Sequence, residues 1–281
     1  MRWLVVGAGG MLGRDAAALL RARGHEIVTL RRSELDIVDS PAVDVAVRGF
    51  EVVLNCAAWT AVDAAEDAEA AAFGPNAVGA ANLAGACAAS GARLVHISTD
   101  YVFDGTASVP YAEDAPVAPR SAYGRTKAAG EWAVRAGAST NLVVRTAWLY
   151  GAGGPCFPRT IAALAADRGS VSVVEDQVGQ PTWTSDVADF VERLVVAGVP
   201  GGTYHATASG AASWYEFARA VVDTAGMEPS IVTPTTSDAF VRPAPRPSWS
   251  VLGHGASDVV GVEAIGTWSQ RWAVAGREVL G

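Results

Sequence analysis

Lysine is almost missing from this chain. Of the 21 cationic side chains in 281 residues, one is lysine, Lys127, and every other is arginine. Cysteine is scarce too. Cys56, Cys87 and Cys156 are too few and too widely spaced for a disulfide framework or a metal site, so free thiols in a reducing cytoplasm are expected. No stretch approaches the roughly twenty continuous apolar residues of a membrane-spanning helix. The Ala-rich run over 64–90 is interrupted by Glu66, Asp67, Glu69 and Pro75. The opening Met1-Arg2-Trp3 leads straight into an apolar run without a signal peptide, so a cytoplasmic protein is expected. An excess of positive charge is also missing. The formal net charge of −8 argues against a nucleic-acid polymer or an anionic membrane as the partner.

What remains has the profile of a globular protein, 50% apolar and 18% charged, long enough for one large core or a core with a smaller lobe. The first half alternates short apolar runs with helical periodicity. Strands are expected over 3–6, 27–30, 52–55, 94–98 and 142–145. Helices are expected over 11–23, closed by Gly24, and over 122–136. Ser40-Pro41 reads as an N-cap and first-turn proline, with Gly49 closing that helix. Repeated strand–helix units of this size give an α/β fold, a Rossmann-type doubly wound parallel sheet with helices on both faces. After about residue 150 the pattern loosens. Ser213-Trp214-Tyr215-Glu216 fits a capping box for a helix reaching Thr224, whereas the proline-rich segment 229–250 reads as loop. Residues 1–150 are therefore expected to form a dinucleotide-binding domain. Residues 151–281 are expected to form mainly a smaller α/β substrate lobe that returns segments to the main sheet.

The first strand runs into Gly7-Ala8-Gly9-Gly10-Met11-Leu12-Gly13. The spacing G-x-G-x-x-G fails at Leu12, but G-x-x-G-x-x-G is met by Gly7, Gly10 and Gly13. Glycines there let the backbone turn tightly and approach a pyrophosphate seated on a helix N-terminus. At the end of the second strand stands Leu30-Arg31-Arg32-Ser33, with no carboxylate until Glu34. Arg31 suits the 2′-phosphate of NADP better than the 2′-hydroxyl of NAD, so NADPH is the expected cofactor, with NADH left open.

Tyr123 and Lys127 are four apart on one expected helix face. A phenol titrates at about 10, and bringing it down by about three units takes roughly 4 kcal/mol. One ammonium at about 4 Å in a partly enclosed site supplies about that much. The single lysine is thus expected to acidify Tyr123. Lysine's compact head with three donors suits such a site better than a guanidinium fork. A third residue, Thr99, follows the strand over 94–98, where ligands of parallel sheets bind. A hydroxyl, a phenol and an ammonium around one carbonyl beside a nicotinamide make a ketone-reduction site.

The stretches "NCAAWTAVDAAE", "HISTDYVFDG", "YGRTKAAGE", "VVRTAWLYG", "DQVGQPTW" and "RPSWSVL" together resemble the dTDP-4-dehydrorhamnose reductase family of extended short-chain dehydrogenase/reductases. The resemblance spans nearly the whole chain. It implies NADPH-dependent reduction of the C4 ketone of a dTDP-4-dehydro-6-deoxyhexose, with a dTDP-sugar as partner and a homodimer left open. Gly10, Met11 and Leu12 would lie on the cofactor pyrophosphate and Asp36 and Ile37 near the adenine, with Ala58, Trp59 and Thr60 toward the nicotinamide. Tyr123 would donate the proton and Lys127 hold the nicotinamide ribose. Thr99 and Asp100 would contact the sugar, Trp148 would pack on it, and Gln177 and Arg246 would clamp the nucleotide. Cys156, where many relatives have Asn, and Trp59 depart from the pattern and leave the sugar open. A sister reductase for another dTDP-4-keto-6-deoxy sugar is the alternative. A regulatory subunit resembling that of methionine adenosyltransferase is a remoter one. No metal site is expected.

Overall fold

The computed structural model describes residues 1–281. Six strands form one parallel sheet: β1 (Arg2–Val6), β2 (Glu26–Leu30), β3 (Val52–Asn55), β4 (Arg93–Thr99), β5 (Leu142–Thr146) and β6 (Gly202–His205), in the order β6-β5-β4-β3-β1-β2. The strands are apolar on both sides because both faces are covered. Trp3 and Val5, Val52 and Leu54, Val95, and Leu142 and Val144 pack to one side. Leu4 and Val6, Val53, Leu94 and Val143 pack to the other. This period of two assigns each strand residue to one of two separate cores.

The first core is closed by helix α1 (Met11–Ala22) and, from the second half of the chain, by a helix over Thr184–Val196. The second is closed by α2 (Ser40–Ala46), α3 (Gly79–Ser90) and α4 (Ala122–Gly137). The expected cap of α2 shifts by one residue. Asp39 is the N-cap and its carboxylate accepts the Ala42 N–H, while Ser40 is already helical. Proline then stands in the first turn, where its missing N–H is not needed.

Residues after Tyr150 also build a third core, in which Tyr150, Phe217 and Trp272 meet. Three helices, Phe157–Arg168, Trp214–Thr224 and Trp268–Leu280, surround it. The Ser213/Glu216 capping box forms with both reciprocal bonds. The proline-rich segment is not loop throughout. Val232–Thr235 pairs in parallel with Val171–Val174 in a two-stranded sheet, where Pro234 is tolerated because every strand of such a pair is an edge. No helix is long and apolar enough to cross a membrane.

Candidate active site

The carboxyl ends of β1, β3, β4 and β5 bring the expected site residues to one side of the sheet. Gly7 ends β1 with φ +77°, and a Cβ there would stand 2.5 Å from the Ala57 nitrogen. Gly13 is needed for a different reason, since its Cβ would meet the Gly7 oxygen at 2.5 Å and push α1 off the strand. Gly10 caps α1 without any side-chain bond, so the amides of the first turn find no side-chain acceptor. An anion fits there. The side chain of Leu12 is buried in the sheet core and Met11 leans on the third core, so these two residues present backbone to such an anion.

Arg31 lies across the same loop, its Cγ 3.7 Å from where a Cβ on Gly9 would be. Glu34 is folded back, its carboxylate accepting the Arg31 N–H at 2.8 Å. The residues present therefore fit a dinucleotide with extra negative charge near β2. Asp36 is exposed and accepts the Val38 N–H at 3.0 Å. Ile37 is buried against Gly79 in the second core, leaving its side chain no access to a ligand.

Ala58, Trp59 and Thr60 follow β3. Their loop is held by Asn76, a fully buried residue that no motif had pointed to. Asn76 Oδ1 accepts the Trp59 N–H at 2.8 Å, and its amide donates to Trp59 O and to Thr126 Oγ1 of α4. It sits in a single π-helical turn, Gly74–Val78, inserted ahead of α3. Such bulges displace one residue from the helical ladder and are frequent at functional sites.

Helix α4 begins at Ser121, whose hydroxyl accepts the Gly124 N–H, while Glu66 accepts the Ala122 N–H at 2.8 Å. Nine of its residues are buried, and among them Tyr123, Thr126, Lys127, Gly130, Glu131 and Val134 recur at spacings of three and four and form one face. That face is pinned by Glu131, which pairs with Arg145 of β5 at 2.8 Å and accepts the Ser98 hydroxyl of β4 at 2.6 Å. Gly124 lets α4 approach closely, since a Cβ would stand 2.2 Å from the Tyr101 carbonyl.

These supports bring Thr99, Asp100, Tyr123 and Lys127 into the interior, all under 10% exposed. The electrostatics differ from the expectation. Burial holds the Tyr123 phenol above its usual range, opposed by the nearby Thr99 hydroxyl and reinforced by the Asp100 charge. Lys127 does not acidify it, because its Nζ is turned to β4, donating to the Ile97 carbonyl at 2.6 Å and lying 3.3 Å from His96 Nε2. Burial lowers Lys127 itself to about 8, opposed chiefly by the charge of Glu131. Asp100 is raised by burial to about 6. Its Oδ1 accepts the Thr99 hydroxyl at 2.9 Å and its Oδ2 has no partner. The arrangement is a protonated phenol with a hydroxyl beside it, suited to giving a proton to an oxygen rather than taking one.

Trp148 is the one non-glycine residue with positive φ, at 46°, and it stacks flat on Trp214 at 3.5 Å between ring centroids. Gly179 makes room, since a Cβ there would be 2.5 Å from the indole. One face of Trp148 is thus taken by Trp214, a neighbour the sequence reading missed because the two are 66 positions apart. Gln177 donates to Ser237 Oγ at 2.9 Å, and Arg246 pairs with Asp63 at 2.8 Å, so both expected clamp residues are engaged within the protein. The Tyr123 ring meets Tyr101 edge-on at 5.7 Å, and on Tyr101 a small cleft of about 80 Å³ opens toward Arg120, Ser121, Arg246 and Ser248. No three His, Cys, Asp or Glu side chains gather as a metal would require.

Comparison with known proteins agrees with this geometry. The family described as "RmlD substrate binding domain" matches residues 1–277. A dTDP-4-dehydrorhamnose reductase of Streptomyces griseus is 49% identical over 274 residues, 95% of this chain and 90% of its own. A dTDP-4-keto-6-deoxy-D-glucose reductase of Streptomyces niveus is 46% identical over 271 residues, 95% of this chain and 94% of its own. The crystal structure of a Bacillus anthracis dTDP-4-dehydrorhamnose reductase in complex with NADP superposes with a TM-score of 0.94 at 34% identity, covering 99% of each chain.

Proposed function

The chain belongs to the dTDP-4-dehydrorhamnose reductase family of oxidoreductases, and we propose that it uses NADPH to reduce the C4 ketone of dTDP-4-dehydro-L-rhamnose, giving dTDP-L-rhamnose. The observation that carries this reading is the convergence of buried Thr99, at the end of β4, with buried Tyr123, one helical turn from Lys127. When bound, the nicotinamide supplies the hydride. Tyr123, kept protonated by its burial, gives its phenolic proton to the oxygen that gains charge at C4. The Thr99 hydroxyl orients that oxygen. Lys127 binds ribose hydroxyls, and the first-turn amides of α1 take the pyrophosphate. Arg31, lying across Gly9, takes the 2′-phosphate that distinguishes NADPH from NADH.

A sister reduction, of another dTDP-4-keto-6-deoxy sugar, is the second reading. It is favoured by Cys156, whose weakly polar thiol points to the Gly151 carbonyl at the head of the Phe157–Arg168 helix. It is favoured also by the similar identities of the two Streptomyces relatives, 49% and 46%. The deciding experiment offers the purified protein a panel of dTDP-4-keto-6-deoxy sugars with NADPH or NADH and follows loss of nicotinamide absorbance. The first reading requires kcat/KM to be highest for dTDP-4-dehydro-L-rhamnose with NADPH. A higher value on another keto sugar selects the second, and no turnover of any sugar refutes both.

A further inference from the structure

Beneath the site, a chain of hydrogen bonds leads from the backbone after β3 to the single lysine, and its donors can be assigned one by one. Asn55 Oδ1 accepts the Ala57 N–H at 3.0 Å. That fixes the other end of the amide, its NH₂, on His96 Nδ1 at 3.0 Å. An amide NH₂ only donates, so Nδ1 accepts. His96 is fully buried, and that burial holds it neutral, with one ring proton. With Nδ1 accepting, that proton is on Nε2, and Nε2 faces Lys127 Nζ at 3.3 Å. An ammonium has donors and no lone pair, whereas an amine has a lone pair to receive an N–H. The Ile97 carbonyl, at 2.6 Å, accepts a hydrogen bond from either form.

We propose that His96 is a positioning residue of this site: held by Asn55 with its proton on Nε2, it opposes the ammonium form of Lys127 and makes the charge on that side chain conditional. The other groups around the amine leave it without a counter-ion. Cys56, facing from the segment after β3, is pushed up to about 12 by burial and stays a neutral thiol. Glu131, one turn on along α4, is engaged with Arg145 and Ser98, and Arg145 adds a positive charge of its own. Tyr123, one turn back, is held protonated. A ligand that places hydroxyl acceptors on Nζ therefore draws a proton onto Lys127 as it binds. That last consequence rests on the proposed reductase reading, while the state of His96 rests on the protein alone.

Because Lys127 is the only lysine, ¹³Cε-lysine labelling gives one resonance, and its titration in the ligand-free protein reads the amine directly. The expected midpoint is near pH 8. His96→Gln can turn an amide oxygen toward Nζ, and the midpoint should then rise by a pH unit or more, a tenfold gain in proton affinity. An unchanged midpoint in that variant, or a wild-type midpoint near that of free lysine, overturns the proposal. A second measurement needs no substitution: ¹⁵N-histidine spectra of the unaltered protein should show His96 with its proton on Nε2, and a proton on Nδ1 overturns the assignment. The pH profile of kcat/KM should follow the lysine midpoint in wild type and variant alike. If no keto sugar is turned over, the reductase reading fails while the two spectra still judge His96.

Discussion

Asp100 places a measurable strain on the native state, and replacing it with Asn should make the protein more stable while it impairs the site. The carboxyl is 3% exposed, and burial raises it from an ordinary value near 3.8 to about 6. A buried acid of this kind binds its proton more tightly folded than unfolded, so stability is lost as pH rises from the unfolded value through the folded one. Two units correspond to about 3 kcal/mol above pH 7, with roughly half of that already present at pH 5. In Asp100→Asn the Oδ1 acceptor of the Thr99 hydroxyl is kept. The new NH₂ falls where Oδ2 has no partner, which adds an offset that does not change with pH. Thermal unfolding of both proteins at a series of pH values between 5 and 8 isolates the ionisation from that offset. The difference in favour of the variant should widen by about 1.4 kcal/mol across this range, on the order of 2–3 °C in Tm for a chain of this size. A difference that stays constant, or narrows, would refute the argument that Asp100 is held as a strained carboxylate at neutral pH. Turnover of the variant should fall mainly above about pH 6, where the wild-type Thr99–Asp100 pair carries charge next to Tyr123.

Tyr123→Phe removes the proton donor and should lower kcat about 10²- to 10⁴-fold with little change in cofactor affinity, read by steady-state kinetics and cofactor titration. Lys127→Arg keeps a cation but must fit a wider head where Nζ meets Ile97 and His96, so kcat/KM should drop at least about tenfold despite the conserved charge. Near-normal kinetics would remove the reason given for lysine. Arg31→Ala should weaken NADPH about 10- to 100-fold, the worth of a charge-assisted hydrogen bond, while leaving NADH unchanged, as measured by KM for each. Glu131→Gln leaves Arg145 buried without its carboxylate, both side chains being at most 1% exposed, and should cost about 3–5 kcal/mol in denaturant unfolding.

Five of the six strands of the sheet were legible in the sequence because their information is local. Leu4 and Val6 alternate with Trp3 and Val5, and glycines stand where the chain turns, so those strands announce themselves within a few residues, whereas β6, a short strand from the second half, was not singled out. The capping box at Ser213 was legible for the same reason. The position of the α2 cap was not, because Asp39 and Ser40 are both good caps and only the backbone at Asp39 decides between them. The site was half legible. Tyr123, Lys127 and the glycines carry spacing, but the groups that set their properties lie across the fold. His96 reaches Lys127 from 31 positions away, Asn76 reaches Thr126 from 50, and Arg246 reaches Asp63 from 183. No periodicity links such pairs. The expectation that Lys127 acidifies Tyr123 failed on this point, since nothing in a Tyr-x-x-x-Lys spacing says that the ammonium has a carbonyl and an imidazole of β4 to turn to.

The same surroundings explain why a chain with arginine at every other cationic position has lysine at this one. Arg145 and Lys127 are equally deep, 1% and 2% exposed, and lie on either side of Glu131. Arginine cannot shed its proton inside a protein, so a buried guanidinium needs a dedicated anion. Arg145 has one, in a two-point pairing with Glu131 at 2.9 and 2.8 Å. Lys127 has none, because that carboxylate is already engaged and the Cys56 thiol is neutral. A residue in this place must be able to exist without charge until a ligand brings acceptors, and of the two cationic side chains lysine alone can. The rule carries to the neighbouring position: Arg145→Lys should be tolerated with modest loss of stability, since the ammonium can still pair with Glu131, whereas Lys127→Arg should be destabilising as well as less active. Equal stability of the two variants in denaturant unfolding would show that the choice between arginine and lysine in this interior does not depend on the counter-ion.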